Sequence, residues 1–230
     1  MNSIVVCDTE TTGVDAQRHR VIEVALARVD DGNWDAFCIE TWRIDIPRHE
    51  YERGEPRAYE VNGYRPGHPD WRDAPQCDTP AAREVYAKIA SRLHKAALVN
   101  QNASFDARFL WEELCRHDVH RVGGSTPYSA DPDIKGAPWE GNTWDVQAFS
   151  RALMKAAGKK GWKLHTVYEE VCGGPALPPH RAEADVMRAL WVLAHGKRRH
   201  PEIWPDFRLP TDAICEAVTR WSRERAGRAA

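Results

Sequence analysis

No apolar run reaches the roughly 18 residues that mark a candidate bilayer-spanning helix, so no membrane span is expected. The first residues, Met1-Asn2-Ser3-Ile4-Val5-Val6, carry no basic region and no cleavage site. They are expected to be the first strand of the fold rather than a signal peptide. The chain has six cysteines, Cys7, Cys38, Cys77, Cys115, Cys172 and Cys215, and no C-x-x-C pair. A close-pair zinc site is therefore not expected. Several of the cysteines sit in apolar stretches as small core residues. Without an export signal or a cysteine framework, a reducing cytosol is the expected compartment. Excess positive charge is also missing: 32 Lys and Arg stand against 34 Asp and Glu, for a net charge of -2. Such a protein does not coat nucleic acid through bulk charge, and any polyanion must be held locally.

What the chain does have is enough length, 230 residues, and enough apolar content, 42%, for one α/β domain with a full core. Ten tryptophans are many. Most are expected to pack, and one or two are candidates for base stacking. Short β-branched runs over 3–7, 21–29 and 34–46 are separated by turn residues, Asp30-Asp31-Gly32-Asn33 among them. They predict a three-strand meander. Residues 47–78, rich in Pro, Gly, Arg and Glu, are expected to form an extended surface segment with room for one short helix. Thr79-Pro80 opens a helix with Val85, Ile89, Leu93 and Ala96 on its apolar face. A buried strand follows at 97–99, then a helix capped by Ser104 with Phe105, Phe109, Leu110 and Leu114 on its inner stripe. Residues 118–142 are a long loop. Helices are expected over 145–157, 164–172, 181–195, ended by Gly196 and Lys197-Arg198-Arg199, and 211–225.

Three motifs carry chemistry. The first is Asp8-Thr9-Glu10-Thr11-Thr12-Gly13 at the end of the first strand. Residues two apart on a strand share a face, so Asp8 and Glu10 project together and Thr9 projects away. Two carboxylates so close repel unless a cation lies between them, and hard divalent ions prefer such oxygens. The Thr-Thr-Gly turn offers backbone N–H groups and a residue without Cβ, which lets a ligand approach. A bare D-x-E is also an ordinary strand exit; the full hexad is more specific. The second motif is Asn102-Ala103-Ser104-Phe105-Asp106, which places Asp106 in a first helical turn, where an acid also suits the helix dipole. The third is His180-Arg181-Ala182-Glu183-Ala184-Asp185 after Pro178-Pro179. His180 then lies on a loop and Asp185 in the next helix. A loop histidine near its ordinary pKa can take a proton at neutral pH, although most such histidines are merely solvated. Glu183 is a rival acid, expected to be exposed.

Together and in this order, the hexad, N-A-x-F-D and H-x-x-x-x-D resemble the three exonuclease motifs of DnaQ-like proofreading subunits and related DEDDh nucleases. The resemblance spans residues 3–195 in element order. It implies an α/β, ribonuclease-H-like fold: a mixed five-stranded sheet, a three-strand meander followed by parallel strands, flanked by helices. It implies an exonuclease domain over 1–196, followed by a basic helical extension over 197–230 packed on or beside it. Carried over by position, Asp8, Glu10, Asp106 and Asp185 would hold two divalent cations, Mg²⁺ or Mn²⁺, with His180 as general base. Thr9, Thr11, Thr12, Gly13, Asn102 and Phe105 would meet the substrate, although Phe105 is equally readable as core. Asp145 would support the site from behind. The five-residue spacing of His180 and Asp185 fits the histidine branch. Where the family often has H-G-I, this chain has Val61-Asn62-Gly63-Tyr64, which departs from the pattern.

The implied activity is metal-dependent 3′–5′ hydrolysis of the terminal phosphodiester of single-stranded DNA or frayed 3′ ends, releasing nucleoside 5′-monophosphates. Two other readings stay open. One is an exoribonuclease or oligoribonuclease acting on RNA. The other is a non-catalytic nucleic-acid-binding accessory subunit of a polymerase or helicase. The 118–142 loop and the basic segments Lys197–His200 and Arg220–Arg228 are either contact surfaces for such a partner or solvated ends. Monomer and homodimer are both open.

Overall fold

A computed structural model describes residues 3–30, 38–119, 139, 143–178, 180–203 and 209–228. The sheet is built from β1 (Ser3–Thr11), β2 (Val21–Asp30), β3 (Cys38–Arg43), β4 (Ala97–Asn100) and β5 (Thr143–Asp145). Its order is β3-β2-β1-β4-β5. The first three strands are an antiparallel meander, and β4 and β5 join in parallel. The expected ribonuclease-H-like, mixed five-stranded sheet is present. The residue pattern alone anticipates four of its strands. β5 has only three residues, none of them buried, too little for a periodic signal.

Helices α1 (Arg48–Arg53), α2 (Pro56–Asn62), α3 (Pro80–Leu93), α4 (Ala103–Arg116), α5 (Gln147–Ala156), α6 (Leu164–Glu170), α7 (Ala182–Arg199) and α8 (Thr211–Arg228) cover the sheet. The core follows from the period of two in β1. Ile4 and Val6 face one way and pack with Val186, Leu190 and Leu193 of α7. Val5 and Cys7 face the other way and pack with Ile89 and Leu93 of α3 and Phe109 and Leu110 of α4. Ile214 and Val218 of α8 belong to the same cluster as α7, so this last helix packs on the fold. Among the described residues, no helix is long and apolar enough to cross a membrane.

Several local expectations are corrected. β1 extends beyond the apolar run 3–7; its ladder with β2 carries it through Thr11, with a register shift between Glu10 and Thr11. Residues 47–78 are not simply an extended surface segment. They hold α1, α2 and a 3₁₀ turn over Pro69–Trp71, and they bury Asn62, Tyr64 and Trp71. Tyr64 and Trp71 meet edge to face at 5.1 Å, which anchors the segment despite its polar composition. Ser104 lies inside α4 rather than at its start, where Asn102 stands in the left-handed region (φ 66) without a side-chain capping bond. α7 does not end at Gly196 but runs on to Arg199. Gly196 is there for closeness: a Cβ would lie 2.5 Å from Cγ of Phe149. The expected cap at Thr79 is present, its hydroxyl accepting from the Ala82 N–H at 3.2 Å. Most of the 118–142 loop and residues 34–37 of the third predicted strand lie outside the described residues.

Candidate active site

The two-residue period of β1 decides the geometry of the acids. Asp8 and Glu10 continue the face of Ile4 and Val6, toward α7, and there they meet Asp185 in the first turns of that helix. Carboxylate oxygens of Asp8, Glu10 and Asp185 all lie within 4.8 Å of one another. Thr9 continues the opposite face, toward α4. Its N–H and hydroxyl both donate to Oδ1 of Asp106, at 2.9 and 2.7 Å. Asp106 is thus 3% exposed and stands beside the trio rather than within it. Asn100, the last residue of β4, joins the two groups: its side-chain amide donates to Asp106 Oδ2 and reaches Asp8 Oδ1 at 3.5 Å. The acids gather where the parallel strands β1 and β4 end, the usual place for ligands in such sheets.

This much uncompensated negative charge makes the acids hold their protons more tightly. Burial, then the Asp106 charge, holds Asp8 well above the usual carboxylate range. Burial, then Asp185 and Glu23, pushes Glu10 up to about 8. Burial pushes Asp106 up to about 7 against the hydrogen bonds from Thr9 and Asn100 that favour its anion. Asp185 is also raised, chiefly by burial, while Arg188 opposes the shift. Three clustered oxygen donors with too little cationic compensation are the donor set that hard divalent ions fit.

His180 is exposed in the left-handed region (φ 50). It lines a cleft of about 530 Å³ together with Asp8, Gln101, His165, Asp185 and Arg188. The histidine and two of the acids therefore open onto one space. Glu183, the rival acid, is not exposed as expected. It turns to α8, where it accepts from Trp221 Nε1 at 2.7 Å and pairs with Arg225.

The substrate candidates are distributed unevenly. The Thr11 hydroxyl donates to the Gly13 carbonyl at 2.7 Å, and the Thr12 hydroxyl accepts from the Arg20 N–H at 2.9 Å. The Thr11 proton and one Thr12 lone pair are thus used within the turn. The open space expected beside Gly13 is filled by His19, whose ring would lie 2.5 Å from a Cβ. Phe105 is half-buried against Phe109 at 4.8 Å and lines a second cleft of about 310 Å³ with Val14, Asp15 and Arg108. The Asn102 N–H donates to Asp145 Oδ1 at 3.1 Å, and the same oxygen accepts from the Gln147 N–H at 2.8 Å. Asp145 thereby ties the turn before α4 to the start of α5. In place of H-G-I, Asn62 donates to the Thr11 carbonyl at 3.0 Å and holds α2 to the end of β1.

Sequence reasoning missed three ionic residues. Glu23 lies directly across from Glu10 in the ladder and is 1% exposed. Like charges in that position repel. Arg181, the residue after His180, offsets this: its Nε lies 3.3 Å from Glu23 and its Nη1 2.5 Å from Asp70, and its guanidinium sits 5.3 Å over the Trp71 ring. Arg188 donates to Asp185 Oδ1 at 2.8 Å and to the carbonyls of Leu177 and Pro178 at 2.9 and 3.0 Å, fixing the histidine loop to α7. The three-residue step from Asp185 to Arg188 was a readable signal. The Glu23–Arg181 pair joins distant segments, and no local spacing announces it.

A protein-family model described as RNase_T, Exonuclease, matches residues 5–193. The PolC-type DNA polymerase III of Thermotoga petrophila is 27% identical over 183 residues, 80% of this chain and 11% of that protein. Ribonuclease T of Shewanella baltica is 31% identical over 123 residues, 51% of this chain and 54% of the relative. Among solved structures, E. coli exonuclease I in complex with a dT13 oligonucleotide superposes with a TM-score of 0.65 at 17% identity, over 89% of this chain and 43% of that one. The zinc-bound form of its complex with single-stranded DNA gives 0.64 at 18% identity, over 89% and 42%. The chain thus spans about a tenth to about half of the length of these relatives. With a match that runs from the first strand into α7, the chain belongs to the RNase_T exonuclease family.

Proposed function

We propose that the chain is a metal-dependent 3′–5′ exonuclease that hydrolyses the terminal phosphodiester of single-stranded DNA or frayed 3′ ends and releases nucleoside 5′-monophosphates. One observation carries this reading: Asp8, Glu10 and Asp185 converge within 4.8 Å beside a cleft that His180 also lines, in a chain of an exonuclease family. Asp8, Glu10, Asp185 and, beside them, Asp106 are the residues that would hold two divalent cations, Mg²⁺ or Mn²⁺. When bound, such ions supply positive charge that neutralises the phosphate and acidifies a water. The rest is the work of the chain. His180, solvent-accessible and on a loop, takes the proton of the attacking water. Arg188 holds that loop by its Leu177 and Pro178 carbonyls and holds Asp185 by its carboxylate. Thr9 and Asn100 orient Asp106, and Asp145 secures the turn from which Asn102 and Phe105 would meet the terminal nucleotide.

DNA as substrate is supported by the exonuclease I complexes, which hold oligonucleotides. RNA is the second reading, supported by the ribonuclease T relative. Service to a polymerase is supported by the match within a PolC-type enzyme. Incubation with end-labelled single-stranded DNA, RNA and mismatched duplex, with Mg²⁺, Mn²⁺ or EDTA, tests all three. The expected result is a ladder shortening from the 3′ end on one substrate, abolished by EDTA. Asp8→Ala and Asp185→Ala should lose turnover by orders of magnitude with unchanged circular dichroism, and wild-type rates from either variant would overturn the assignment.

A further inference from the structure

Trp162 and Val14 are the large hydrophobic side chains that stand exposed among the described residues, and Trp162 is 44% exposed. It sits in Gly158-Lys159-Lys160-Gly161-Trp162-Lys163, a basic segment of a chain whose net charge is -2. The segment is a built turn. Gly158 and Gly161 have φ of 65 and 93, conformations that favour glycine, and no atom lies where their Cβ would stand. The guanidinium of Arg151 lies 3.9 Å from the centre of the Trp162 ring, and Arg151 is itself held by Gln147 Oε1 at 2.7 Å. One ring face is thus backed by a fixed cation.

The position of this turn gives it a use. The Trp162 carbonyl accepts from Gln101 Nε2 at 2.9 Å, and Gln101 lines the cleft with Asp8, His180 and Asp185. Leu164 and His165, just after Trp162, line the same cleft. An exposed indole, a stacked arginine and exposed Lys160 and Lys163 therefore stand on the rim of a space lined by acids. Aromatic faces for bases with cations for the backbone are how single-stranded nucleic acid is held without regard to sequence. Cations held by the acids would offset charge only at the phosphate being cut, and the rest of the strand gains from attraction outside the cleft.

We infer that Trp162, backed by Arg151 and flanked by Lys160 and Lys163, is a stacking platform for the single strand that leads into the cleft. A base lies on the indole, and the lysines meet the neighbouring phosphates. The inference rests on reading the cleft as the site of phosphodiester hydrolysis, and it adds the surface that holds the part of the strand not being cut.

The test separates the platform from the chemistry. Binding of a 5′-fluorescent oligothymidylate of about 12 nucleotides is measured by anisotropy in Ca²⁺ over a range of salt. Turnover of the same oligonucleotide and of the p-nitrophenyl ester of thymidine 5′-monophosphate, which is too short to reach the rim, is measured in Mn²⁺. Trp162→Ala should weaken oligonucleotide binding about tenfold and raise its KM similarly with kcat unchanged, and Trp162→Phe should restore most of the loss. Lys160→Gln with Lys163→Gln should flatten the salt dependence by about 1.4 in log–log slope. All variants should hydrolyse the ester at the wild-type rate. Binding by Trp162→Ala within about twofold of wild type, or parallel loss of ester hydrolysis, would overturn the platform, whose stacking contribution is expected to be larger. Failure of the wild type to cleave either substrate would instead remove the exonuclease reading, while anisotropy still decides on the platform.

Discussion

Replacing Glu10 by Gln should stabilise the metal-free protein at alkaline pH and destroy its response to metal. Glu10 is held up from 4.5 to about 8 by burial and by the Asp185 and Glu23 charges. Below pH 4.5 the group is protonated in folded and unfolded chains alike. Between 4.5 and about 8 the folded protein keeps a proton that the unfolded chain has released, so stability falls as pH rises through that window. At about 1.4 kcal/mol per pH unit, the ceiling on the loss is about 5 kcal/mol. Relaxation and water entry reduce this, and about 1–2 kcal/mol is the working expectation. For a chain of this size that is a melting temperature about 2–8 °C higher for Glu10→Gln than for wild type at pH 8.5 in EDTA, and near zero difference at pH 5. Saturating Mg²⁺ or Mn²⁺ should reverse the order, since an ion at 100 times its Kd adds about 2.7 kcal/mol to a protein that can bind it. Differential scanning fluorimetry across pH, with and without metal, reads all four conditions. A Glu10→Gln protein that melts below wild type in EDTA at pH 8.5 would refute the electrostatic account of the site.

Arg181→Met should cost about 2 kcal/mol in chemical denaturation, because it leaves the buried Glu23 carboxylate across from Glu10 with Arg43 alone, 3.5 Å away. Adding Glu23→Leu should recover most of that stability; if the double variant is no more stable than the single one, the pairing is not what holds the loop. Gly196→Ala should destabilise by about 1–2 kcal/mol, since overpacking against Phe149 outweighs the better helix propensity of alanine. Its metal-dependent turnover at low temperature should match wild type, and a higher melting temperature would show that α5 and α7 are not in such close contact.

The candidate site was legible where its signals were local. Asp8 and Glu10 two apart on a strand, and His180 on a proline-flanked loop five residues before Asp185, are local spacings; the structure brings Asp8, Glu10 and Asp185 together and opens Asp8, His180 and Asp185 onto one cleft. Spacing could not show that Thr9 takes Asp106 onto the other face of β1, because that contact spans 97 positions. Nor could it assign Gly13: a glycine in a turn signals closeness, and only the fold shows that the close neighbour is His19. The polar composition of residues 47–78 concealed α1 and α2, which show no apolar period and meet through Tyr51 and Tyr59, stacked at 4.4 Å and tilted against Tyr64.

By itself, the sequence determined the three-strand meander and which acids share a strand face, since these follow from side-chain type and the two-residue period of a strand. The tertiary structure decided how the acids divide, three together and Asp106 beside them, and which cations restrain them. It also decided that Gly196 lies inside a helix and that the Trp162 carbonyl is tied to Gln101, which lines the cleft. These depend on which distant segments meet, and burial, charge compensation and close packing are properties of that meeting rather than of any stretch of chain.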